Sequence, residues 1–276
     1  MRKSKNITLT VVLTILAVAF MIPIVIVILN SFKSKLHIIS TPFALPDKES
    51  FAGLSNYVKG LTTSGFFYAF ARSVFITVAS VILIVVCTSM TAWFITRVKN
   101  KFTKLLYYAF VFSMIVPFQM VMYTMTFTVT KLSLNNPVGI VFVYLGFGAG
   151  LSVFMLSGFV KSIPLEVEEA AMIDGCSPIQ TFFRVVFPML KPTAITVAIL
   201  NAMWIWNDYL LPYLILGTGQ KTVPVAIQIA MQGAYGSVDW GGFMAMLVLA
   251  IIPIIVFYLS CQKYIIKGVI AGAVKG

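Results

Sequence analysis

Six long apolar stretches divide this chain, at about 7–29, 70–95, 105–129, 138–160, 194–216 and 243–266, with polar or basic connections between them. Each is close to the roughly 20 residues that a helix needs to cross the hydrocarbon core of a bilayer. None shows the period-two alternation of a half-buried strand, and a backbone in lipid must satisfy its polar groups within its own segment. Each stretch therefore predicts a membrane-spanning helix. Pro23, Pro117, Pro212 and Pro253 fall in or at the ends of these stretches, where the missing N–H predicts bends suited to a lumen. The plainer alternative is that membrane helices tolerate proline more often than soluble ones.

Two connections, about 31–69 and 217–242, are longer and rich in Gly, Pro, Ser and Thr, and are expected to cap the external mouth. The first stretch exceeds the apolar region of a secretory signal. Asn30-Ser31-Phe32-Lys33 follows it rather than a small-residue cleavage site, which predicts a retained helix. With no evident repeat or low-complexity tract, the expectation is a single all-α domain over residues 1–276, a polytopic membrane protein with six transmembrane helices.

Composition agrees: 60% hydrophobic and 10% charged residues are the proportions of a chain dissolved in lipid. A net charge of +12 could suggest nucleic acid, but the basic residues are placed as a bilayer would orient them, so no nucleic-acid partner is expected. Arg2, Lys3 and Lys5, then Arg97, Lys99, Lys101 and Lys104, then Lys161, Arg184 and Lys191, then Lys263, Lys267 and Lys275 share one side if the chain weaves regularly. Lys33, Lys35, Lys48, Lys59, Lys131 and Lys221 are spread more thinly over the other, which predicts both termini in the cytoplasm. Cys87, Cys176 and Cys261 have no paired or metal-like spacing. Met120, Met122 and Met125 read as packing. The single histidine, His37, stands in an outer loop and leaves no nucleophile, base and orienter set, so neither catalysis nor a bound metal is expected.

One polar island interrupts the greasy pattern, a loop of about 161–191 on the predicted cytoplasmic side. Pro164 suits the first turn of a helix, and Glu166, Glu168 and Glu169 place negative charge at the positive end of its dipole. A short helix is predicted over 164–174, with Gly175 as a left-handed stop. Ser177-Pro178 then supplies the cap and first turn of a second short helix that ends before Pro188. Ala170 and Ala171 leave a smooth surface flanked by Glu169 and Asp174, which suits close approach by a partner carrying arginines. An amphipathic helix lying on the membrane is the alternative, although such helices are usually basic.

Glu169-Ala170-Ala171, three residues, Gly175, nine residues, then Val185-Val186-Phe187-Pro188 resembles the coupling motif of binding-protein-dependent ABC importers. The family usually has isoleucine and leucine where this chain has Val185 and Phe187, and commonly alanine at Cys176; these exchanges keep the positions apolar or small. Asn30-Ser31-Phe32-Lys33, Trp206-Asn207-Asp208 and the ending Ala271-Gly272-Ala273-Val274-Lys275-Gly276 extend the likeness to the second permease subunit of the maltose-type sugar branch. The resemblance implies a type I ABC importer permease fold in a bacterial cytoplasmic membrane. It also implies as partners a homologous second permease, two ATPase subunits that hold ATP and Mg, and an extracellular or periplasmic sugar-binding protein. Glu169, Ala170, Ala171, Asp174 and Gly175 would then couple to an ATPase, Glu169 through a basic residue there. The small-residue tail, 268–276, would reach between the ATPases.

The chain itself lacks a phosphate loop. Gly217-Thr218-Gly219-Gln220-Lys221-Thr222 imitates one, but Gln220 stands where a second glycine must cradle phosphate, so ATP must be spent by a partner. Asn201, Trp204 and Asp208 fall at i, i+3 and i+7, one helical face that could carry a sugar, and Gln119 and Tyr123 form a second polar pair. Equally, Asp208 and Asn207 could tie the fifth helix to its neighbours, and a membrane glutamine often satisfies nearby backbone. A rival reading makes the chain an ion-gradient-driven carrier with Asp208 as its ion site, yet intramembrane carboxylates are too sparse for a proton relay. A receptor or scaffold would leave the acidic bent hairpin unexplained.

Overall fold

In a computed structural model the chain is described over residues 7–63, 65–233 and 237–273, with side chains for all of these except Thr63 and residues 265–273. Arg2, Lys3, Lys5 and Lys275 of the charge argument, and the last three residues of the small-residue tail, lie outside the described residues. The elements are α1 (Ile7–Ser31), α2 (Lys35–Ser40), α3 (Ser55–Thr63), α4 (Phe66–Arg97), α5 (Lys101–Ser113), α6 (Phe118–Lys131), α7 (Gly139–Val160), α8 (Leu165–Ile173), α9 (Pro178–Thr181), a π-helical turn (Phe182–Val186), α10 (Phe187–Asn207), α11 (Leu210–Leu216), α12 (Val223–Gln232) and α13 (Trp240–Ala273). Among the described residues, the extended pairing consists of single bridges such as Lys33 to Phe51.

Five helical segments are long and apolar enough to cross a membrane, and α5 with α6 makes a sixth span if that pair counts as one. The pair departs from the single bent span that the sequence predicts, because the chain turns by 108° between its halves. Pro117 explains the break: it has no N–H to continue the helix and pushes Val116 out of the helical region, and Pro117 itself is extended, with ψ of 138°. Pro23 and Pro253, by contrast, sit inside helices that run on without interruption.

The chain forms two compact units, one of residues up to Ala69 with Val225–Ile255, the other of Phe70–Pro224 with residues from Val256. In the first, α1 keeps none of its apolar window buried against the described residues. Its end is different. Asn30, Ser31 and Lys33 are buried where the chain leaves the helix, and Asn30 Nδ2 donates to the carbonyls of Ile26 and Pro42. Asn56 Nδ2 donates to the carbonyls of Ser31 and Lys33, at 2.9 and 2.8 Å. The Lys33 ammonium, fully buried, donates to Thr41 O at 2.8 Å. The Asn-Ser-Phe-Lys run thus folds the following loop onto the end of α1. Nearby, Asp47 has its carboxyl held below the usual range by the Ser50 hydroxyl first and the Ser50 amide second.

The second unit has a core in which Ile76 and Ile84 of α4, Tyr144 and Leu156 of α7, Val197 and Ile205 of α10, and Leu211 of α11 meet. A smaller cluster of Val160, Ile163, Phe182, Val186 and Leu190, with Trp93 and Phe187 against it, fills the root of the polar island.

Candidate functional site

The island is a helical hairpin whose bends follow from local chemistry. Pro164 stands at the N-cap of α8, and Glu166 and Glu168 occupy its first turn, where the dipole favours them. At the other end Cys176 N–H donates to Ala171 O and Gly175 N–H to Met172 O, both at 3.0 Å, which closes the helix with a left-handed residue. That residue is Gly175, with φ of +86°. Ser177 then caps α9: its amide donates to Gln180 Oε1 at 2.9 Å, and Gln180 N–H returns a bond to the Ser177 hydroxyl.

One expectation is corrected here. The second helix does not end before Pro188; it continues from Pro178 to Asn207 as a 30-residue span. The reason is the π turn at Phe182–Val186, closed by Phe187 N–H donating to Phe182 O, five residues back. The wider turn shifts the hydrogen-bond register just before Pro188, so the proline falls at the start of α10, where it needs no N–H partner.

A single carboxylate fastens the hairpin to the bundle. Glu168, with a side chain 3% exposed, accepts from Arg97 Nη2 at 2.6 Å and from Arg97 Nε at 2.9 Å through Oε1. Its other oxygen accepts from Trp93 Nε1 at 2.8 Å. Arg97 also donates to Ile163 O at 2.9 Å, so one guanidinium at the end of α4 holds both the helix and the turn before it. The ring of Trp93 packs on Phe182, centroids 5.5 Å apart, which fixes the returning arm as well. Every acceptor position of a buried charge facing a donor is the condition under which burial is tolerable.

With that face held inward, the opposite face is presented. Glu169, Ala170, Asp174 and Gly175 are exposed, while Ala171 turns toward the interior with Glu168. Glu169 makes no hydrogen bond or ion pair among the described residues. Ile173 is 86% exposed and Ile179 65%, one on each side of the bend. An apolar tip beside an unpaired carboxylate is the composition of a protein-binding surface rather than of a solvated loop.

The predicted pathway residues separate into two groups. Asn201 is buried and donates to Ser152 Oγ at 3.2 Å and to Val197 O at 2.9 Å. Asp208, at the C-cap of α10, accepts from Tyr144 Oη at 3.0 Å with one oxygen and from the Leu210 and Leu211 amides with the other. It therefore joins α7 to α10 and caps α11. Asn207 bonds only back to Met203 O, within its own helix. Trp204 sets its ring edge-on against Tyr144 at 5.4 Å and stays 40% exposed. Gln119 and Tyr123 lie on an exposed face of α6, Tyr123 at 78%, and no contact brings them to Asn201 or Asp208.

The model for binding-protein-dependent transport system inner membrane components matches residues 84–271, more than half of the chain and the part that includes hairpin, clamp and seam. The chain belongs to that family. This permease is 38% identical to the "Probable starch degradation products transport system permease protein AmyC" of Thermoanaerobacterium thermosulfurigenes, over 95% of this chain and 94% of that one. It is 36% identical to the "Multiple sugar-binding transport system permease protein MsmG" of Streptococcus mutans, over 96% and 95%. Among solved structures it superposes on a chain of a bacterial ABC transporter involved in the import of the acidic polysaccharide alginate, with a TM-score of 0.79 at 22% identity, over 96% of this chain and 98% of that one. That likeness shows the fold, and these relatives are transport permeases rather than enzymes.

Sequence reasoning missed the clamp of the hairpin, Glu168 and its partner Arg97. The available signal was spacing: Trp93 and Arg97, four apart, put two donors on one face of α4, and Glu168 shares its helical face with Ala171, not with Glu169. It also missed Gly148. A Cβ there would fall 2.7 Å from both Asn201 Oδ1 and Ile84 Cδ1, so this glycine lets α4, α7 and α10 meet. Gly148→Leu is expected to cost about 1–3 kcal/mol through overpacking, read as a lower Tm of the purified permease, whereas Gly146→Leu, whose Cβ meets nothing within 4 Å, should leave it unchanged.

Proposed function

We propose that this permease is one of two membrane subunits of an ATP-driven sugar importer, with oligosaccharides as cargo, and that the hairpin from Pro164 to Pro188 is its handle on an ATPase subunit. The observation that carries the reading is the division of the hairpin's two faces: Glu168 is locked into the bundle while Glu169, Asp174 and the apolar tip are left free. A clamped inner face makes the hairpin and the span that continues from it move together, so a pull on the tip reaches α10. ATP and Mg belong to two partner ATPases, and a periplasmic or extracellular binding protein delivers the sugar. The sugar assignment is supported by the starch-product and multiple-sugar transport relatives. The distribution of Lys and Arg supports a cytoplasmic position for both termini and the hairpin.

Substrate is proposed to pass the exposed ring of Trp204, with Asn201 and Asp208 holding the wall behind it and Gln119 and Tyr123 as further polar contacts. An ion-driven carrier would need Asp208 open to a cation, whereas its oxygens already accept three hydrogen bonds. The deciding experiment is Glu169→Lys in the full complex. The ATPase should co-purify at least tenfold less well, and uptake should fall in proportion, while the Tm of the permease stays unchanged because Glu169 makes no hydrogen bond or ion pair among the described residues. Undiminished ATPase association would overturn the assignment. For the pathway, Trp204→Ala should raise the KM for sugar uptake severalfold without reducing ATPase association.

A further inference from the structure

Where α4 ends, α5 begins and α7 ends, the second unit has an open cavity of about 560 Å³, apart from the residues of the proposed substrate pathway. Lys99, Lys101, Lys104 and Lys161 line it, and none of its lining residues is acidic. Among the described residues none of these four lysines has a carboxylate partner; the ion pair nearby, Arg97 to Glu168, uses up the local carboxylate. Lys161 holds its ammonium 5.7 Å from the centre of the ring of Tyr107, which also lines the cavity. The first turn of α5 adds its positive dipole end, with Asn100 already capping Thr103 N–H at 2.8 Å.

A second observation is independent of charge. Ser157 lines the same cavity, is 1% exposed, and its Oγ has no hydrogen-bond partner. A serine in a membrane helix normally donates to the carbonyl four residues back, as Ser152 does to Gly148 O at 2.7 Å. Its neighbour one turn and a residue later leaves the donor free. Four ammonium groups without a carboxylate partner among the described residues, a helix start and an unspent hydroxyl line one space, and the chemistry that satisfies them together is a phosphate ester.

The depth of the space identifies the source. Lys99 follows the end of one apolar span by two residues and Lys161 follows another directly, so the cavity lies where the spans leave hydrocarbon, at the height of the phosphate layer. We infer that this cavity is a site for the headgroup phosphate of an anionic lipid. Because Lys161 is the first residue after α7 and the hairpin starts at Pro164, a lipid there would brace the root from which the hairpin swings.

The test uses the full permease, purified in detergent and mixed with phosphatidylglycerol or phosphatidylcholine, with retained lipid counted by native mass spectrometry. One phosphatidylglycerol should be retained in preference to phosphatidylcholine. Lys104→Gln should weaken retention about fivefold and the pair Lys104→Gln with Lys161→Gln about 25-fold, while Lys59→Gln, outside the cavity, changes nothing. Ser157→Ala should weaken retention severalfold yet leave Tm unchanged, since its hydroxyl bonds to nothing in the fold; this variant keeps the test readable if the double lysine variant misfolds. Equal retention of the two lipids, or retention unaffected by Lys104→Gln and Ser157→Ala, would overturn the site. Displacement of the lipid by millimolar inorganic phosphate would assign the cavity to a soluble anion and overturn the lipid reading.

Discussion

Glu168→Ala should abolish sugar uptake and lower the Tm of the permease, a larger effect than any single change on the exposed face of the hairpin. Removing one partner of a buried ion pair leaves the other uncompensated, which costs roughly 3–5 kcal/mol when both are deeply buried. Arg97 is 19% exposed and can recover some solvation, so the lower end of that range applies. Trp93 Nε1 and both Arg97 donors lose their acceptor together, and the hairpin keeps only its apolar root to hold it. Glu168→Gln separates charge from geometry. It leaves one oxygen as an acceptor and should give intermediate Tm and partial uptake, while Arg97→Lys, which cannot present the two-pronged donor set, should resemble Glu168→Ala. The measurements are thermal denaturation of the permease, uptake by whole cells and ATP hydrolysis by the complex. Wild-type uptake in Glu168→Ala cells would remove the clamp from the mechanism.

The existence of the spans and both ends of α8 were legible because each depends on chemistry within a few residues, although the fifth span runs over Pro178–Asn207 rather than 194–216, since the chain leaves the helix at Asp208. Apolar runs of about 20 residues declare themselves, Pro164 and Ser177 start helices, and Gly175 stops one. What the sequence concealed depends on residues far apart in the chain. Glu166, Glu168 and Glu169 look alike in a first turn; only the position of Arg97, 71 residues earlier, makes the middle one an anchor and leaves Glu169 exposed. Lys33 was counted as a thinly spread outer charge, yet the carbonyl of Thr41 and the packing around Asn56 draw it fully inside. The turn between α5 and α6 was visible as a proline but not as an angle of 108°, since neighbours set the direction of a break once the hydrogen bonds are lost.

The same distinction explains the divided fate of the pathway residues. Spacing put Asn201, Trp204 and Asp208 on one face of a helix, and the structure keeps them there, but that face meets α7. Amides and carboxylates are as useful for joining membrane helices as for binding sugar, and periodicity alone does not distinguish the two uses. Asp208→Ala should therefore act first on stability: loss of the α11 cap and of the Tyr144 bond is worth about 1–2 kcal/mol, seen as a lower Tm with no change in KM.

Gly175→Val should be the most damaging change at the exposed tip, even though the site is open. A Cβ at Gly175 would meet nothing within 4 Å, so the cost is not a collision but the backbone angle of +86°, which a branched residue resists by about 1–3 kcal/mol. Strain of that size shifts the populations of hairpin conformers by roughly 5- to 150-fold, and it is relieved by opening the bend, which turns the exposed Ile173 and Ile179 away from their present arrangement. Spin labels at those two positions should report one narrow distance in the parent permease and a broad distribution in the valine variant. Uptake should fall with the narrow population. Gly175→Asn, whose side chain accommodates left-handed backbone, should retain most of both signals. A valine variant with a narrow distance and no uptake would mean that the tip is read by contact at position 175 itself; a broad distance with full uptake would show that the sharp bend transmits nothing.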